Sequence, residues 1–286
     1  MITVTGAAGM TGRHVIAGLL DAGLPVRALA HSSASAGRLP GGVEDVVVGD
    51  MLVPAEVERA VAGAGAVVHI GPAMHPREVA MGETVIDAAA AAGVRHFVLM
   101  SVTHPQLEPL LNHQSKLAAE RRLLMSRLPF TILQPMHYMQ DVDVAQSVAD
   151  GVYRQPYSLD VGLSFVDLAD VGESVARVLS DPARHRFATY ELCGADTLTG
   201  RQVAAILAEV AGRPVEPRQL PADQVLAAMR DAPDYTRDAM RRLVEHYDSY
   251  GITGNPNVLT WLLGRNPTSF REYAHRQLST SGRSPA

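Results

Sequence analysis

The N-terminal segment carries the clearest chemical signal, three glycines spaced three residues apart. It reads Thr5-Gly6-Ala7-Ala8-Gly9-Met10-Thr11-Gly12 and stands between an apolar run and a helical pattern. In such a loop Gly6 permits a sharp turn, Gly9 lets the backbone approach a pyrophosphate, and Gly12 lets the helix pack closely on a sheet. The N–H groups and positive dipole end of the following helix then face the phosphates. The spacing predicts a dinucleotide site; the alternative is a glycine turn that only joins a strand to a helix.

The end of the second predicted strand bears on the choice between NAD(H) and NADP(H). Folds that bind NAD(H) often place an acidic residue there to hold the ribose hydroxyls. The sequence instead reads Ala28-Leu29-Ala30-His31-Ser32-Ser33. Hydroxyl donors, the imidazole of His31, and added charge from Arg13 and Arg38 favour a 2′-phosphate, hence NADP(H), unless these residues only solvate a loop. Asp50, after the third strand, stands where an acid commonly approaches the adenine; a helix cap is the alternative.

These residues require a framework, and the first 135 residues predict one. Short apolar runs alternate with helical patterns, which is typical of βαβ units and a parallel sheet. Strands are predicted over 2–5, 26–30, 46–48, 66–70, 96–101 and 130–133, and helices over 11–22, 54–62, 77–92 and 112–126. The fold class is therefore α/β, a doubly wound parallel Rossmann sheet, in which ligands bind beyond the carboxyl ends of the strands.

The alternation fades after Pro135. The pattern predicts a helix capped by Asp170, a strand over 189–192, a helix capped by Thr199, two helices over 222–248, and short helices over 257–263 and 269–277. We expect residues 1–135 to form an NAD(P)-binding Rossmann domain whose sheet is completed by later segments near 164–192. Residues 136–286 are expected to form a smaller, mainly helical substrate-binding or lid region.

The composition restricts the class of protein. A formal charge of −5 and the absence of a basic stripe argue against nucleic acid as a partner. The single cysteine, Cys193, excludes an internal disulfide framework, the first strand leaves no room for a signal peptide, and no apolar run is long enough to span a bilayer. We expect a cytoplasmic protein with a small-molecule substrate and no membrane partner; the oligomeric state stays open. Scattered histidines without H-E-x-x-H predict no metal, and no G-x-S-x-G motif supports a hydrolase.

The motifs together resemble the NmrA-like family of atypical short-chain dehydrogenases/reductases. The resemblance covers nearly the whole chain and rests on residues 5–12, Val26-Arg27-Ala28-Leu29, Gly49-Asp50, Arg95-His96-Phe97-Val98-Leu99-Met100-Ser101, Pro129-Phe130-Thr131-Ile132-Leu133-Gln134-Pro135, Asp167-Leu168-Ala169-Asp170-Val171 and Pro267-Thr268-Ser269-Phe270. It implies a Rossmann fold, NADP(H) binding and a small lid domain. It leaves function open, because the family contains both active reductases and inactive nucleotide sensors.

The resemblance directs attention to the helix that begins near residue 112. Typical short-chain dehydrogenases use Tyr-x-x-x-Lys, in which the lysine holds the nicotinamide ribose and lowers the tyrosine pKa. Here the helix reads Asn112-His113-Gln114-Ser115-Lys116, with asparagine at the tyrosine position and Lys116 where the family has its lysine. The resemblance implies that Lys116 contacts the ribose and assists catalysis. The alternative is a surface lysine paired with Glu120 one turn further on.

The missing tyrosine leaves the proton donor open. Ser101 follows the fifth strand at the general place of the active-site serine, while His137 and Tyr138 follow the sixth, and water is a further source of the proton. The predicted catalytic residues are Lys116, Tyr138 and Ser101. The predicted cofactor-binding residues are Gly6, Gly9, Met10, Thr11, Gly12, His31, Ser32, Asp50, Met51, Gly71 and Lys116. The predicted substrate-binding residues are Met74, His75, Asn112, Met136, His137 and Tyr138.

Three functions follow in order of support. The first is an NAD(P)H-dependent reductase of a small apolar carbonyl, enone or quinone compound. The alternative is a non-catalytic NADP(H)-sensing regulator that acts through a protein partner, and the absent tyrosine motivates it. A sugar-nucleotide epimerase ranks last, because it would need the same tyrosine.

Overall fold

The computed structural model describes residues 1–281, which fall into two compact units. The first unit consists of Met1–Pro135 and Leu168–Leu192, and the second consists of Met136–Asp167 with the chain from Cys193 onward. The chain therefore leaves the first unit after Pro135 and returns to it at Leu168. Residues 282–286, the end of the predicted substrate-binding or lid region, lie outside the described part, and the role of that region stays a prediction.

The secondary structure alternates strands and helices through the first unit and becomes irregular in the second. The strands are β1 (Ile2–Val4), β2 (Val26–Ala30), β3 (Asp45–Val48), β4 (Ala66–Ile70), β5 (His96–Met100), β6 (Phe130–Pro135), β7 (His137–Tyr138), β8 (Val152–Gln155), β9 (Leu163–Val166), β10 (Ala188–Leu192), β11 (Thr197–Leu198) and β12 (Glu216–Gln219). The α-helices are α1 (Met10–Asp21), α2 (Ser33–Ala36), α3 (Pro54–Val61), α4 (Glu78–Ala91), α5 (Leu111–Leu124), α6 (Val144–Asp150), α7 (Leu168–Ser180), α8 (Pro182–His185), α9 (Gly200–Ala211), α10 (Ala222–Ala228), α11 (Asp234–Tyr250), α12 (Asn257–Leu263) and α13 (Phe270–Ser281). A short 3₁₀ helix spans Met139–Asp141.

The first unit is built on a seven-stranded sheet in the order β3-β2-β1-β4-β5-β6-β10, and every neighbouring pair is parallel. This confirms the predicted doubly wound α/β fold. Strands β4 and β5 read AVVHI and HFVLM and are buried at every position, as expected for strands covered on both faces. The chain runs outward from β1 and then crosses back to β4, so the switch point lies between these two strands, at whose carboxyl ends such folds bind ligands.

Helices α1 and α7 pack unusually closely in the first unit because each has a glycine at the crossing. A Cβ atom on Gly18 would lie 2.5 Å from the carbonyl carbon of Gly172, and one on Gly172 would lie 2.4 Å from the carbonyl oxygen of His14. Real Cβ atoms do not approach backbone so closely, so only glycine fits at both positions. This contact holds α1, the helix that follows the glycine loop, against α7.

The second unit contains a three-stranded sheet in the order β11-β9-β7, a two-stranded pair of β12 with β8, and helices α6 and α9–α13. Helix α9 begins as predicted, since Thr199 accepts the Gln202 N–H and the Gln202 side chain accepts the Thr199 N–H. No helix in the described chain is long and apolar enough to cross a membrane.

Several predicted boundaries are wrong for identifiable reasons. Helix α7 begins at Leu168, so Asp170 lies inside its first turn and does not cap it. Strand β9 lies in the small sheet of the second unit, and it is β10 that extends the main sheet beyond β6. The short elements α2, α6, β8 and β12, with four to seven residues each, are not predicted, because their runs carry too few turns to show a period.

Candidate cofactor and active site

The glycine loop passes directly over the end of β4. Gly6 has a φ of +62°, and a Cβ atom there would lie 2.3 Å from the carbonyl oxygen of Ile70, the last residue of β4. The positive φ and the close approach each require glycine. The sharp turn predicted at this position is present, and it lies at the switch point of the sheet.

Gly9 leaves the beginning of α1 open. It is the N-cap of the helix, with φ −71° and ψ 170°, and no side chain caps it. Its own N–H donates to the Gly6 carbonyl oxygen at 3.1 Å, the first turn of α1 contains no acidic residue, and Gly9 is exposed. The N–H groups at the start of a helix have no acceptor within the helix. Met10 and Thr11, the first two helical residues, are half-buried there.

Gly12 has a different role from the one predicted. A Cβ atom on it would lie 2.3 Å from the Gly6 carbonyl oxygen and 2.6 Å from that of Ala7. The missing side chain therefore lets the first turn of α1 sit on its own loop, and the predicted contact between helix and sheet is not what requires glycine here.

The residues after β2 are engaged in a short helix that the sequence pattern does not predict. Ser32 is the N-cap of α2: its Oγ accepts the Ser35 N–H at 3.2 Å, and its own N–H donates to Ser35 Oγ at 3.0 Å. His31 is exposed beside it, and Arg13 and Arg38 are exposed as well. The Ser32 hydroxyl itself donates to Ser35 Oγ at 3.3 Å, which weakens its predicted role as a donor to phosphate.

Asp50 stabilises a turn after β3. Its Oδ1 accepts the N–H of Leu52 at 2.9 Å, while its own N–H donates to Glu56 Oε2 at 2.6 Å. Helix α3 begins at Pro54 with Val53 as its N-cap, so the alternative of a helix cap at Asp50 is wrong. Met51 is half-buried and packs against the core of the first unit.

Lys116 forms a buried ion pair with a residue that sequence reasoning missed. Its Nζ lies 2.7 Å from Glu78 Oε1, and the two side chains are 12% and 4% exposed. The alternative of an exposed lysine paired with Glu120 is therefore wrong. Glu120 instead accepts hydrogen bonds from Ser101 Oγ at 2.5 Å and from Gln134 Nε2 at 2.8 Å. Ser101, predicted as catalytic, thus donates its hydroxyl hydrogen to a buried carboxylate.

The ion pair lies beside Gly71, the first residue after β4. A Cβ atom on Gly71 would lie 3.2 Å from Glu78 Oε1 and 3.4 Å from Lys116 Nζ. The structure thus brings together two predicted site residues, Gly71 and Lys116, at the edge of the sheet where Gly6 also lies. Glu78 stands 38 positions before Lys116 in the chain, so no spacing rule connects them.

Two buried acceptor atoms near Lys116 lack hydrogen-bond partners among the described residues. They are Oε2 of Glu78 and Oδ1 of Asn112, which stands one helical turn before Lys116 on α5. Buried polar atoms in folded proteins nearly always have partners. Unsatisfied acceptors of this kind are therefore typical of a site that receives donors from a ligand.

His69 connects β4 to the glycine loop. Its Nδ1 lies 2.8 Å from Thr5 Oγ1, and the same hydroxyl oxygen accepts the N–H of Ile70 at 3.2 Å. Burial, with a smaller contribution from the charge of Lys116, lowers the pKa of His69 to about 3. The imidazole is therefore neutral and positions Thr5 immediately before Gly6.

Met74 and His75 lie in the loop after β4, and both are half-buried. Met74 has a φ of +57°, which is uncommon for a residue with a side chain. The Nδ1 of His75 accepts the N–H of Arg77 at 3.1 Å, which fixes the approach to α4.

The remaining predicted residues belong to the second unit. Met136 is buried, while His137 and Tyr138 form β7 and are half-buried. The His137 ring packs edge-on against Phe165, Tyr157 and Tyr247, with its Nε2 3.4 Å from Tyr157 Oη. Burial lowers the pKa of His137 and outweighs the opposing charge of Asp141, whose Oδ2 lies 3.9 Å from Nδ1.

The two tyrosines around His137 were not predicted as site residues. Tyr157 and Tyr247 are each 5% exposed, and burial raises the pKa of both hydroxyls well above the ordinary value. Their positions in the sequence are 90 residues apart, and only the fold of the second unit brings them to one histidine.

Known proteins resemble this chain along its whole length. The model of the NmrA-like family matches residues 1–277. The chain is 32% identical over 281 residues to the (4-alkanoyl-5-oxo-2,5-dihydrofuran-3-yl)methyl phosphate reductase of Streptomyces griseus, with 96% of both proteins covered. It is 28% identical over 287 residues to the NAD(P)H azoreductase of Xenophilus azovorans, with 99% of both covered.

Among solved structures, the NADPH complex of the NADPH-dependent quinone oxidoreductase of Escherichia coli superposes with a TM-score of 0.83. The two sequences are 26% identical, and the match covers 97% of this chain and all of that one.

Proposed function

This chain belongs to the NmrA-like family, and on that premise we propose that it is an NAD(P)H-dependent reductase of a small apolar carbonyl, enone or quinone compound. Relatives that match it from end to end are named as an NAD(P)H azoreductase and a furanone phosphate reductase. The observation that carries the proposal is the open glycine loop beside the Lys116–Glu78 pair at the carboxyl end of β4.

The residues at the carboxyl ends of β1 and β4 fit a dinucleotide. Gly6 lets the loop turn tightly against the Ile70 carbonyl oxygen, Gly9 keeps the start of α1 free of a side chain, and α1 begins without a side-chain cap. Backbone N–H groups of Met10, Thr11 and Gly12 would bind the pyrophosphate there. The ammonium of Lys116 would donate to a ribose hydroxyl, and the unsatisfied Asn112 Oδ1 would accept from a ribose hydroxyl or the carboxamide.

We assign the preference for NADP(H) over NAD(H) to the segment after β2. No carboxylate follows that strand, and the exposed His31, Arg13 and Arg38 supply the positive charge available to a 2′-phosphate. The Ser32 hydroxyl contributes less, since it already donates to Ser35 Oγ.

The bound reduced nicotinamide supplies the hydride. The residues of this chain hold it and orient the acceptor, while Asn112 cannot act as a proton donor because an amide does not ionise near neutral pH. Ser101 is a poor substitute, because its hydroxyl is bonded to Glu120. Reduction of a quinone or polarised alkene tolerates this arrangement, since water can deliver the proton. Tyr138 stays a predicted catalytic and substrate-binding residue, and His137 a predicted substrate-binding residue.

The experiment that tests this function combines binding with turnover. Cofactor-free protein is titrated calorimetrically with NADPH and NADH, and NADPH oxidation is then followed with a panel of quinones and enones. We expect tighter binding of NADPH and turnover that Lys116→Ala lowers but Arg121→Ala, an exposed change on the same helix, leaves intact. Binding without turnover on the whole panel would instead support the NADP(H) sensor that the asparagine at position 112 suggests. Absence of binding would refute both.

A further inference from the structure

The carboxylate of Glu78 is buried in a way that packing alone does not explain. It lies in the first turn of α4 and is 4% exposed, yet only Oε1 has a partner, the Nζ of Lys116 at 2.7 Å. Oε2 makes no hydrogen bond within the described chain. Burying a carboxylate is costly, and a half-satisfied one contributes little to stability.

Lys116 is equally unusual, because it is the only lysine in the 286-residue sequence. All other members of the 25 basic residues are arginines. Arginine presents a broad planar fork, whereas the lysine ammonium is a compact point charge on a flexible stem. A chain that uses arginine for every other cation therefore places a small, steerable charge at this one position.

We propose that Glu78 is a positioning residue, which keeps Lys116 charged and holds its ammonium at the end of β4 for the ribose contact. This role rests on the function proposed above for Lys116. Glu78 contacts the ammonium of Lys116 and influences cofactor binding only by way of that ammonium. The side chain of Lys116 has four rotatable bonds, and the ion pair selects the conformation in which Nζ approaches Gly71.

Two other titratable groups near Lys116, Glu120 and His69, do not replace Glu78. Glu120, one turn further along α5, is engaged by Ser101 and Gln134. His69 on β4, whose pKa the charge of Lys116 also lowers, is neutral because burial brings that pKa to about 3. The negative charge that stabilises a 12% exposed ammonium therefore comes from α4.

The position of Glu78 on its helix also favours the charged form. A carboxylate in the first turn lies at the positive end of the helix dipole, which stabilises negative charge. Helix α4 thus carries the counter-charge to the lysine of α5 at the edge of the sheet. The unsatisfied Oδ1 of Asn112, on the same helix as Lys116, can accept a hydrogen bond from a sugar hydroxyl.

The sole lysine makes a direct test possible without cofactor. Biosynthetic labelling with [13Cε]lysine gives one side-chain resonance, whose pH titration reports on Lys116 alone. In Glu78→Gln we expect its titration midpoint to fall by about one to three pH units, because a partly buried ammonium without its counter-charge loses its proton more readily. Glu83→Gln, an exposed change on the same helix, should leave the midpoint unchanged. An unchanged midpoint in folded Glu78→Gln would overturn the proposal.

Turnover provides the second readout. In Glu78→Gln the alkaline fall of kcat/KM should begin at a correspondingly lower pH, with a loss of about tenfold or more at pH 8, and Glu78→Asp should recover part of it. In a Lys116→Met background Glu78→Gln should have no further effect on NADPH affinity. A full additional loss there would show that Glu78 acts independently of Lys116 and refute its positioning role.

Folding does not block this test. If Glu78→Gln alone fails to fold, the double variant with Lys116→Met, which removes both charges of the pair, is compared with Lys116→Met alone under conditions in which urea unfolding curves show both variants to be folded. Equal NADPH affinity of these two variants supports the proposal, and a weaker double variant overturns it. If wild-type protein binds no cofactor, the proposed function fails, but the lysine resonance still decides whether Glu78 controls the charge of Lys116.

Discussion

Replacement of Gly9 by aspartate should separate the stability of the glycine loop from its capacity to bind a phosphate. Gly9 already has the extended backbone of an N-cap residue, with φ −71° and ψ 170°, and no side chain caps α1. Aspartate is among the best residues at such a position, while glycine lacks a capping side chain. A Cβ atom there would lie 3.2 Å from the Gly6 carbonyl oxygen, so the loop needs to yield by only a few tenths of an ångström.

The two effects of this substitution have opposite signs. A new cap and its interaction with the helix dipole contribute about 0.5–1 kcal/mol, which offsets the tight contact, so the free energy of unfolding should stay within about 1 kcal/mol of wild type. The carboxylate would stand where the pyrophosphate is expected. At about 4 Å and an effective dielectric constant of about 20, two negative charges repel by about 4 kcal/mol, or about three orders of magnitude in Kd.

The assay is a calorimetric NADPH titration beside a urea unfolding curve for each variant. Gly41→Asp is the matched control, because Gly41 is exposed and a Cβ atom there meets no neighbour within 4 Å. Gly6→Ala is the contrasting variant: its φ of +62° and the 2.3 Å approach to Ile70 predict a loss of stability along with binding. If Gly9→Asp is folded and binds NADPH within about threefold of wild type, the pyrophosphate does not lie at this helix end and our reasoning is refuted.

Three further predictions follow from contacts in the first unit. Gly172→Ala would place a methyl group 2.4 Å from the His14 carbonyl oxygen, so we expect a loss of about 1–3 kcal/mol and a Tm lower by roughly 3–10 °C in calorimetry; an unchanged Tm would contradict the close helix packing. Ser101→Ala removes the 2.5 Å hydrogen bond to Glu120. The free energy of unfolding measured in urea should fall by about 1.5–3 kcal/mol, while turnover should fall less than about tenfold. A larger fall in turnover would restore Ser101 as a catalytic candidate. The buried His69 has a pKa of about 3 against 6.5 when unfolded, so the free energy of unfolding should fall by about 1.4 kcal/mol per pH unit as the pH decreases below 6.5 and should not change on this account above it. His69→Asn should remove this part of the pH dependence. Equal slopes of unfolding free energy against pH in the two proteins would argue against a buried neutral imidazole.

The main sheet could be predicted because both of its faces are buried. Strands β2 and β4 begin and end where the apolar runs do, and the intervening helices show an amphipathic period. The second unit resists this reasoning, since its short strands pair with distant segments: β9, for example, pairs with both β7 and β11. Residues of such strands carry little local signal, and the partner decides their conformation.

In the candidate site too, the local motif could be predicted from the sequence and the contact between distant residues could not. The glycine loop is a local motif, so the turn at Gly6 and the open helix end at Gly9 follow from spacing alone. The partner of Lys116 does not, because Glu78 lies on another helix and only the packing of α4 against α5 joins them. A count of residue types would have singled out Lys116 as the sole lysine, but no count or period identifies the carboxylate that faces it.

The return of the chain to the first unit has a consequence for how the protein is made. Strand β10 covers the edge of β6, yet it emerges from the ribosome only after the whole Met136–Asp167 segment of the second unit. At about 5–20 residues per second, the nascent sheet waits roughly 3–11 s between Pro135 and Leu192 with β6 as an open edge. Exposed edges recruit other strands. A fragment cut after residue 135 would keep this edge permanently, so we expect it to aggregate, whereas a permuted chain that supplies 168–192 early would complete its sheet without the delay.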